Sequence, residues 1–411
     1  MAAHAKLSPS GAHRWMRCAG SVILEAEYAD GGSAFAAEGT CAHELAAAVL
    51  TDPEFVIPVG ETKTVDGYPI KVTQDMADHV MDYCKLVWES AERAKLLVEQ
   101  SVPIGHLTGE DGATGTSDAI IIDYDQEAIE VIDLKYGAGV KVYAEDNEQM
   151  QMYALGALHE HSLISDFSWV TMMIHQPRMY HVAEWTISTA QLEAFGEEVS
   201  EAARTVEDAA TAALLCNVDT DEGWIGAYLN PGEKQCRFCK AKATCPALRE
   251  EVMAIAGPAT AHDFAAFIPD APNAETGDNY LSMAMTKVDM VEAWCKAVRA
   301  ETERRLLAGE TVDGWKLVEG RKGNRAWADE DAAEEMFKKS FRLRDDEMYT
   351  KKLISPTAAE KLLKDTPKRL KRAMDLTTRA EGKPSVAPAT DLRPALAVAN
   401  LAEEFRMTLE N

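Results

Sequence analysis

The sequence lacks the features that would place a protein in a membrane or outside the cell. No window approaches about 18 uninterrupted apolar residues, and residues 1–10 hold no long apolar stretch, so neither a membrane span nor a secretion signal is predicted. Basic residues are scarce too, because 42 Lys and Arg stand against 68 Asp and Glu, for a net charge of -26. Phosphate binding normally leaves a basic footprint, so this balance argues at first against a nucleic-acid partner. We expect a cytoplasmic protein.

Cysteine is also sparse, with eight in 411 residues. That number is too low for a disulfide scaffold, and in a reducing compartment clustered thiols are more often metal ligands or catalytic groups. No internal repeat is present, and the glycine-lysine pattern of a Walker A loop is missing, so ATP-driven movement by this chain is not expected.

What is present is an ordinary globular composition, 46% hydrophobic and 27% charged, in a chain long enough for two or three domains. Apolar spacing and turn residues predict an α/β order of elements. The predicted helices are 9–19, 34–50, 73–99, 145–161, 190–214 and 279–307, and the predicted strands are 102–106, 116–123, 128–134, 168–175, 181–187 and 315–318. A change of composition past Pro258 predicts two domains, 1–257 and 258–411, the second mainly helical.

Two acids and a lysine converge on the predicted hairpin. Asp118 is expected to begin one strand, while Asp133 and Lys135 lie two apart at the end of the next and so point to one face. Paired carboxylates are ligands for Mg²⁺ or Mn²⁺, which hydrolysis of a phosphodiester requires, and a lysine can stabilise the developing charge. By itself, an Asp-x-Lys pair is more often a surface ion pair.

Two further elements lie where such a site would need them. His43, on the helix 34–50, offers an imidazole to a metal ion, and Gln149 and Tyr153 lie one turn apart on the helix 145–161. Taken alone, His43 is more typical of a core or capping histidine, and Gln149 with Tyr153 is scarcely a motif.

Together these residues resemble the PD-(D/E)XK nuclease superfamily and its RecB/Cas4-like branch. The family pattern is matched by Gly39-x-x-x-His43, Gly115-x-x-Asp118, Asp133-x-Lys135 and Gln149-x-x-x-Tyr153. The resemblance implies a restriction-endonuclease-like core, with a central mixed sheet flanked by helices and a mainly helical C-terminal domain. It also implies that His43, Asp118, Asp133 and the Leu134 carbonyl hold the metal ion, and that Lys135 is catalytic.

Residues 7–18 and 38–45 also resemble the phage-encoded DUF2800 family. This resemblance implies an Mg²⁺- or Mn²⁺-dependent exonuclease that resects linear duplex DNA ends in phage recombination, in the host cytoplasm. It further suggests a single-strand annealing or binding protein as partner, or a homo-oligomer. Two alternatives stay open, a DNA-binding or scaffold protein that cleaves nothing and a Cas4-like or endonucleolytic trimming enzyme.

A cluster of three cysteines follows the predicted nuclease core. Cys236, Cys239 and Cys245 lie within ten residues, and Cys18, which precedes the core, is the natural fourth ligand. RecB-like nucleases with this layout carry a [4Fe-4S] cluster, so the resemblance implies that these four thiolates hold one. A structural Zn²⁺ ion is the alternative, because four thiolates also suit tetrahedral zinc.

Basic residues are concentrated near the C-terminus. Residues 338–383 hold fourteen Lys or Arg against seven Asp or Glu. We expect this stretch, with Arg321, Lys322 and Arg325, to contact DNA phosphates, although a solvated helix face accounts for any one of these charges equally well.

Overall fold

The computed structural model describes residues 5–28, 32–52, 54–256, 277–320, 326–348, 354–364, 366–378, 385–388, 393, 394 and 396. The chain divides into two compact units, residues 1–295 and 296–411, and each is described by itself. The predicted domain boundary at 257/258 lies outside the described residues.

Helices and one hairpin open the first unit. A short 3-10 helix at Pro9–Gly11 leads into the chain-ordered elements α1 (Ala12–Trp15), α2 (Ser21–Glu25), α3 (Ala34–Thr51), β1 (Thr62–Val65), β2 (Tyr68–Lys71) and α4 (Gln74–Ser90). Side-chain caps begin the two long helices, because the hydroxyls of Ser33 and Thr73 accept hydrogen bonds from backbone N–H groups of the first turn. The helix predicted over 9–19 is shorter than expected, because α1 ends at Trp15. The Ser8 side chain does not cap the 3-10 helix that precedes α1.

A five-stranded mixed sheet forms the centre of this unit. Its elements in chain order are β3 (Lys95–Pro103), α5 (Gly105–Thr108), β4 (Thr114–Asp123), β5 (Ala128–Leu134), α6 (Glu148–His161), β6 (Trp169–Gln176) and β7 (His181–Ser188). The strands lie in the order β3-β4-β5-β6-β7, and only the β5–β6 pair is parallel, because α6 crosses over between them. The predicted α/β class with a central mixed sheet flanked by helices is confirmed.

Both faces of the sheet are covered, which explains the continuous apolar runs of β4 and β5. Ile121 and Ile132 pack with residues of α3 and α4 in one core, whereas Ile120 and Val131 pack with α6 and α7 in the other. Alternate residues of the same strand therefore supply two separate cores, as the two-residue period of a strand requires.

Up to Leu307, five α-helices follow the sheet in the described part of the chain. They are α7 (Thr189–Ala213), α8 (Glu222–Tyr228), α9 (Glu233–Cys236), α10 (Pro246–Ala256) and α11 (Gly277–Leu307). A capping box begins α7, in which the Ser188 hydroxyl accepts from the Gln191 N–H while the Gln191 side chain accepts from the Ser188 N–H.

The second unit consists of short elements around a small aromatic core. They are β8 (Trp315–Val318), β9 (Ala326–Trp327), α12 (Glu330–Glu335), a π turn at Met336–Ser340, α13 (Asp345–Met348), α14 (Pro356–Leu362), α15 (Pro367–Met374), β10 (Thr377–Thr378) and β11 (Ser385–Pro388). β8 pairs with β11 and β9 with β10, both antiparallel. In this core the Phe337 ring contacts both Trp327 and Phe341. No described helix is both long and apolar enough to span a bilayer.

The sequence prediction was wrong between residues 91 and 106. The predicted helix 73–99 ends at Ser90, and the strand predicted over 102–106 begins at Lys95. Leu96 and Leu97 extend the apolar spacing of α4, so a helix is the natural local choice. They pair instead with Ile121 and Ile120 of β4, and this long-range pairing overrides the local preference. The β1–β2 hairpin was not predicted.

We expect the Ser188→Ala variant to lower the free energy of unfolding by about 1 kcal/mol, because it removes the cap that satisfies the first turn of the 25-residue helix α7. Thermal or denaturant unfolding of the full chain measures this change. Ser200→Ala, in the middle of the same helix, is the control and should change the stability by less than about 0.5 kcal/mol. Equal losses in the two variants would contradict a capping role.

Candidate metal and nucleic-acid site

Three carboxylates stand side by side across neighbouring strands of the sheet. β3 pairs with β4 at Val98–Ala119 and Gln100–Ser117, so Glu99 lies opposite Asp118. β4 pairs with β5 as far as Ala119–Ile132, which brings Asp118 opposite Asp133 one position further on. Like charges directly opposite in a sheet repel, so this row needs neighbouring positive charge. The structure also corrects one detail, since Asp118 lies in the middle of β4 and does not begin it.

The first partner of the row is His43, which reaches it from α3. Its Nδ1 lies 3.0 Å from Asp118 Oδ1, while Asp118 Oδ2 accepts a hydrogen bond of 2.7 Å from the Leu134 backbone N–H. Ligand atoms of His43, Glu99 and Asp118 all lie within 4.8 Å of one another. Burial lowers the pKa of His43, but the hydrogen bond and the charge of Asp118 outweigh burial and raise it above its ordinary value.

The second partner is Lys135, just beyond the end of β5. Its Nζ lies 3.2 Å from Asp133 Oδ1 and 3.0 Å from Oδ2, and it donates a hydrogen bond of 2.9 Å to Gln149 Oε1. Gln149 in turn donates to the Tyr153 hydroxyl at 3.0 Å and reaches Asp133 Oδ1 at 3.4 Å. The structure thus brings the predicted Asp133, Lys135, Gln149 and Tyr153 into one network.

Asp133 is almost fully buried, with 3% of its surface exposed. Burial raises the pKa of its carboxyl, Lys135 lowers it, and the charge of Asp118 raises it again, with a net rise. Its Oδ2 accepts no hydrogen bond from the described part of the chain, although Lys135 Nζ is near. A buried carboxylate that is ion-paired with Lys135 and lies on the strand next to Asp118 fits a site for a divalent cation, which prefers oxygen ligands. Of the four predicted ligands, His43 and Asp118 belong to the 4.8 Å group, whereas Asp133 lies with Lys135.

Sequence reasoning missed Glu99, because residue 99 fell inside the predicted helix 73–99. Its carboxylate is exposed, and its pKa is raised by partial desolvation and by the charge of Asp118. Glu99 also has a positive φ of 48°, which is unusual for a residue other than glycine and interrupts the β3–β4 pairing at this position. Had the β-branched Val98 and Val102 been read as a strand, pairing with β4 would have placed Glu99 opposite Asp118.

The two motif glycines have different surroundings. A Cβ atom at Gly115 would lie 2.8 Å from Pro9 Cγ and 2.9 Å from Tyr153 Cε1, so the strand accepts the tyrosine ring only because residue 115 has no side chain. A Cβ atom at Gly39 would meet nothing within 4 Å. Close packing therefore explains the glycine three residues before Asp118 and does not explain the one before His43.

The four predicted cysteines line one small cavity. Cys18, Cys236, Cys239 and Cys245 surround it together with apolar residues such as Leu229 and Leu248. Backbone N–H groups of Asn230, Gly232 and Leu248 donate to the sulfurs of Cys18, Cys236 and Cys245 at 3.3 to 3.5 Å. The structure thus places Cys18 beside the C-terminal trio, across more than 200 residues.

By themselves, these four cysteines favour the neutral thiol over the charged thiolate. Burial raises the pKa of all four, that of Cys245 to about 11, although the backbone donors lower it in part. Around one tetrahedral zinc ion with bonds of about 2.3 Å, sulfur atoms would be about 3.8 Å apart. Within the described ranges, no three cysteine sulfurs lie within 4.8 Å of one another, so the sulfurs are not gathered as closely as three ligands of one zinc ion would be.

The predicted basic stretch is only partly a free basic surface. Lys338, Lys339 and Arg344 form ion pairs with glutamates of their own segments. The exposed charges that stand close together are on α15, namely Lys368, Arg369, Lys371 and Arg372, and the two arginines also lie over the Phe341 ring. Arg321, Lys322 and Arg325 lie outside the described residues.

Fold and site define a mixed α/β protein with a carboxylate, histidine and lysine cluster at its central sheet and a separate four-cysteine cavity. The chain belongs to the DUF2800 family, which is described as "Protein of unknown function (DUF2800)" and matches residues 4–394, as the sequence resemblance predicted. It is also similar to a solved crystal structure described as SSO0001, at 16% identity, with 57% of this chain and 84% of that chain covered and a TM-score of 0.24. A similarity of that degree carries no argument about fold or activity.

We expect Gly115→Ala to lower the free energy of unfolding by about 1–3 kcal/mol, because the new methyl group must displace Pro9 or the Tyr153 ring. Gly39→Ala is the matched control. It adds a methyl group in open space inside α3 and should stabilise the chain by about 0.5–1 kcal/mol. Thermal unfolding of both variants tests the pair, and a Gly115→Ala protein as stable as Gly39→Ala would exclude the close approach of the tyrosine.

Proposed function

We propose that this protein is a metal-dependent phosphodiesterase with a PD-(D/E)XK-type core, which degrades linear duplex DNA from its ends. The observation that carries the proposal is the row of Glu99, Asp118 and Asp133, with His43 at one side and Lys135 at the other. A protein that only bound DNA would gain nothing from three acids facing phosphates, because they would repel its ligand unless a cation lay between them.

The residues that would hold a divalent cation are His43, Glu99 and Asp118, with Asp133, ion-paired to Lys135, on the neighbouring strand. When bound, Mg²⁺ or Mn²⁺ supplies positive charge for the scissile phosphate and lowers the pKa of the attacking water. Asp118 can point at such an ion because the Leu134 N–H and His43 fix both of its oxygens.

Lys135 is placed to act on the phosphate or on the water. An ammonium group has three donors, and Asp133 and Gln149 occupy two of them, so one is left to donate towards substrate. Tyr153 and Gln149 lock the direction of the lysine from α6, since Gln149 accepts from Lys135 and donates to Tyr153. The preorganised charge would be worth most in the transition state, where negative charge develops on the phosphate.

Activity on end-labelled linear duplex with Mg²⁺ or Mn²⁺ tests the proposal. We expect Lys135→Gln to lower the rate by about 10²–10³-fold, through loss of the charged donor. Asp118→Asn keeps the size of the side chain but removes a charged metal ligand, so a loss at least as large is expected. Lys63→Ala, which removes an exposed lysine paired with Glu44, is the control and should keep wild-type activity.

Metal-free wild type should be inactive and recover on adding Mg²⁺ or Mn²⁺. Absence of cleavage by wild type, or equal cleavage by all three variants, would defeat the catalytic assignment. Closed circular DNA separates an end-dependent exonuclease, which leaves it intact, from an endonuclease or trimming enzyme, which cuts it.

For the four-cysteine cavity we propose a [4Fe-4S] cluster in preference to zinc. A four-iron cluster binds each thiolate through a different iron atom and so suits sulfurs that are set wider than around one ion. The backbone donors to Cys18, Cys236 and Cys245 favour the charged thiolate form that the cluster needs. The role is structural, since the cluster would tie the start of the chain to the segment that follows α9.

We expect Cys239→Ala to abolish the brown colour and the absorption near about 400 nm of anaerobically purified protein, and to lower its melting temperature. Cys84→Ala is the control, because Cys84 is also buried but lies on α4 against Ala46. It should keep the colour and the iron content while losing some core stability. A colourless wild type that contains zinc would overturn the assignment.

A further inference from the structure

A surface beside the site is built from two segments held together by one buried side chain. The loop after Lys135 passes the turn between β6 and β7, and Gln176, 1% exposed, lies between them. Its Oε1 accepts from the Val142 N–H at 2.7 Å and its Nε2 donates to the Val140 carbonyl at 2.9 Å. His181 adds a hydrogen bond of 3.0 Å to the Val142 carbonyl. The side-chain amide thus makes the two hydrogen bonds that a neighbouring strand would make. It orders residues 140–143 against the turn at 177–181, and these two segments are called the platform.

Two tyrosines project from this platform into solvent. Tyr180 is 96% exposed and Tyr143 is 61% exposed, and the Tyr143 ring meets the His181 ring edge-on at 5.3 Å. Val140 is half exposed beside them. Single exposed apolar residues are ordinary, but an ordered group that includes two aromatic rings points to a binding surface.

Tyr180 is also held in an unfavourable backbone conformation. Its φ is 49°, in the left-handed region that glycine and asparagine accept far more readily than a bulky residue. Its N–H donates to the Pro177 carbonyl at 3.1 Å, so the turn itself is regular. A ring that is almost wholly exposed gains no packing to offset this strain. A strained residue whose side chain gains no stabilising burial is a candidate for function.

The platform lies directly beside Lys135. The Lys135 N–H donates to the His175 carbonyl at 2.9 Å, and the turn begins two residues further on, at Pro177. Arg178, within the turn, lies 5.0 Å over the Tyr136 ring and pairs with Glu38 of α3 at 3.0 Å. These contacts connect the turn both to the residue after Lys135 and to the helix that carries His43.

The platform offers aromatic faces rather than a basic surface for phosphates. Lys141 is exposed, but the exposed Glu145 and Asp146 follow it closely. Such a surface is no basic groove. Stacking on aromatic rings, in contrast, requires only the flat face that every base has.

We propose that Tyr143 and Tyr180 stack on unpaired bases of a single DNA strand and guide that strand to the Asp133–Lys135 site. This inference rests on the proposed nuclease function, and it names the form of DNA that the site receives, a strand separated from its complement.

Binding of a fluorescent oligonucleotide of about 16 thymidines to the full chain in EDTA tests the proposal without cleavage. We expect Tyr143→Ala and Tyr180→Gly each to weaken binding by about 5- to 150-fold, the range of one lost base stack. Tyr180→Gly should keep or raise the melting temperature, because glycine suits the left-handed conformation. Tyr180→Phe keeps the ring and should bind like wild type.

Trp169→Ala is the matched control, since Trp169 is a half-exposed aromatic residue at the opposite end of β6. Unchanged affinity in Tyr180→Gly, an equal loss in Trp169→Ala, or a Tyr180→Phe protein as weak as Tyr180→Gly would overturn the proposal, as would a wild type that does not bind the strand.

Cleavage of linear duplex with Mg²⁺ is measured separately on the same wild-type protein. Cleavage without tyrosine-dependent strand binding overturns this inference and leaves the proposed function intact. Tyrosine-dependent strand binding without cleavage overturns the proposed nuclease function and leaves the inferred strand binding intact.

Discussion

Repulsion among three neighbouring carboxylates is the constraint on which the rest of the site depends. Glu99, Asp118 and Asp133 stand opposite one another on adjacent strands, and two of them have raised pKa values because each sits in the field of Asp118 as well as in a desolvated position. His43 from α3 and Lys135, just beyond the end of β5, approach from two sides to offset this charge.

The rest of the first unit supports that arrangement from outside. Burial of the sheet on both faces keeps β4 and β5 in register, and α6 carries Gln149 and Tyr153 to the lysine. The start of the chain takes part as well, because Arg17, next to Cys18, forms an ion pair with Glu148, next to Gln149. The cysteine cavity and the carboxylate row are therefore connected by one short path through α6.

The net charge of -26 no longer argues against a DNA partner. Under the proposed function, part of the acidity is the site itself, where carboxylates would be ligands for a cation and the cation would meet the phosphate. The proposed strand contact would not depend on a basic face, because the exposed Tyr143 and Tyr180 offer aromatic rings for stacking. Net charge describes the whole surface, whereas binding takes place at a few residues.

The sequence by itself determined the central strands, the Asp133–Lys135 pair and the set of four cysteines, because each of these depends on local spacing and on residue chemistry that is visible along the chain. Only the tertiary structure decided the start of β3, the place of Glu99 and the platform of Tyr143 and Tyr180. Leu96 and Leu97 suit a helix until β4 pairs with them, Glu99 becomes a neighbour of Asp118 only through that pairing, and Gln176 joins two segments more than 30 residues apart. Contacts between distant residues leave no local pattern, and so the sequence alone does not disclose them.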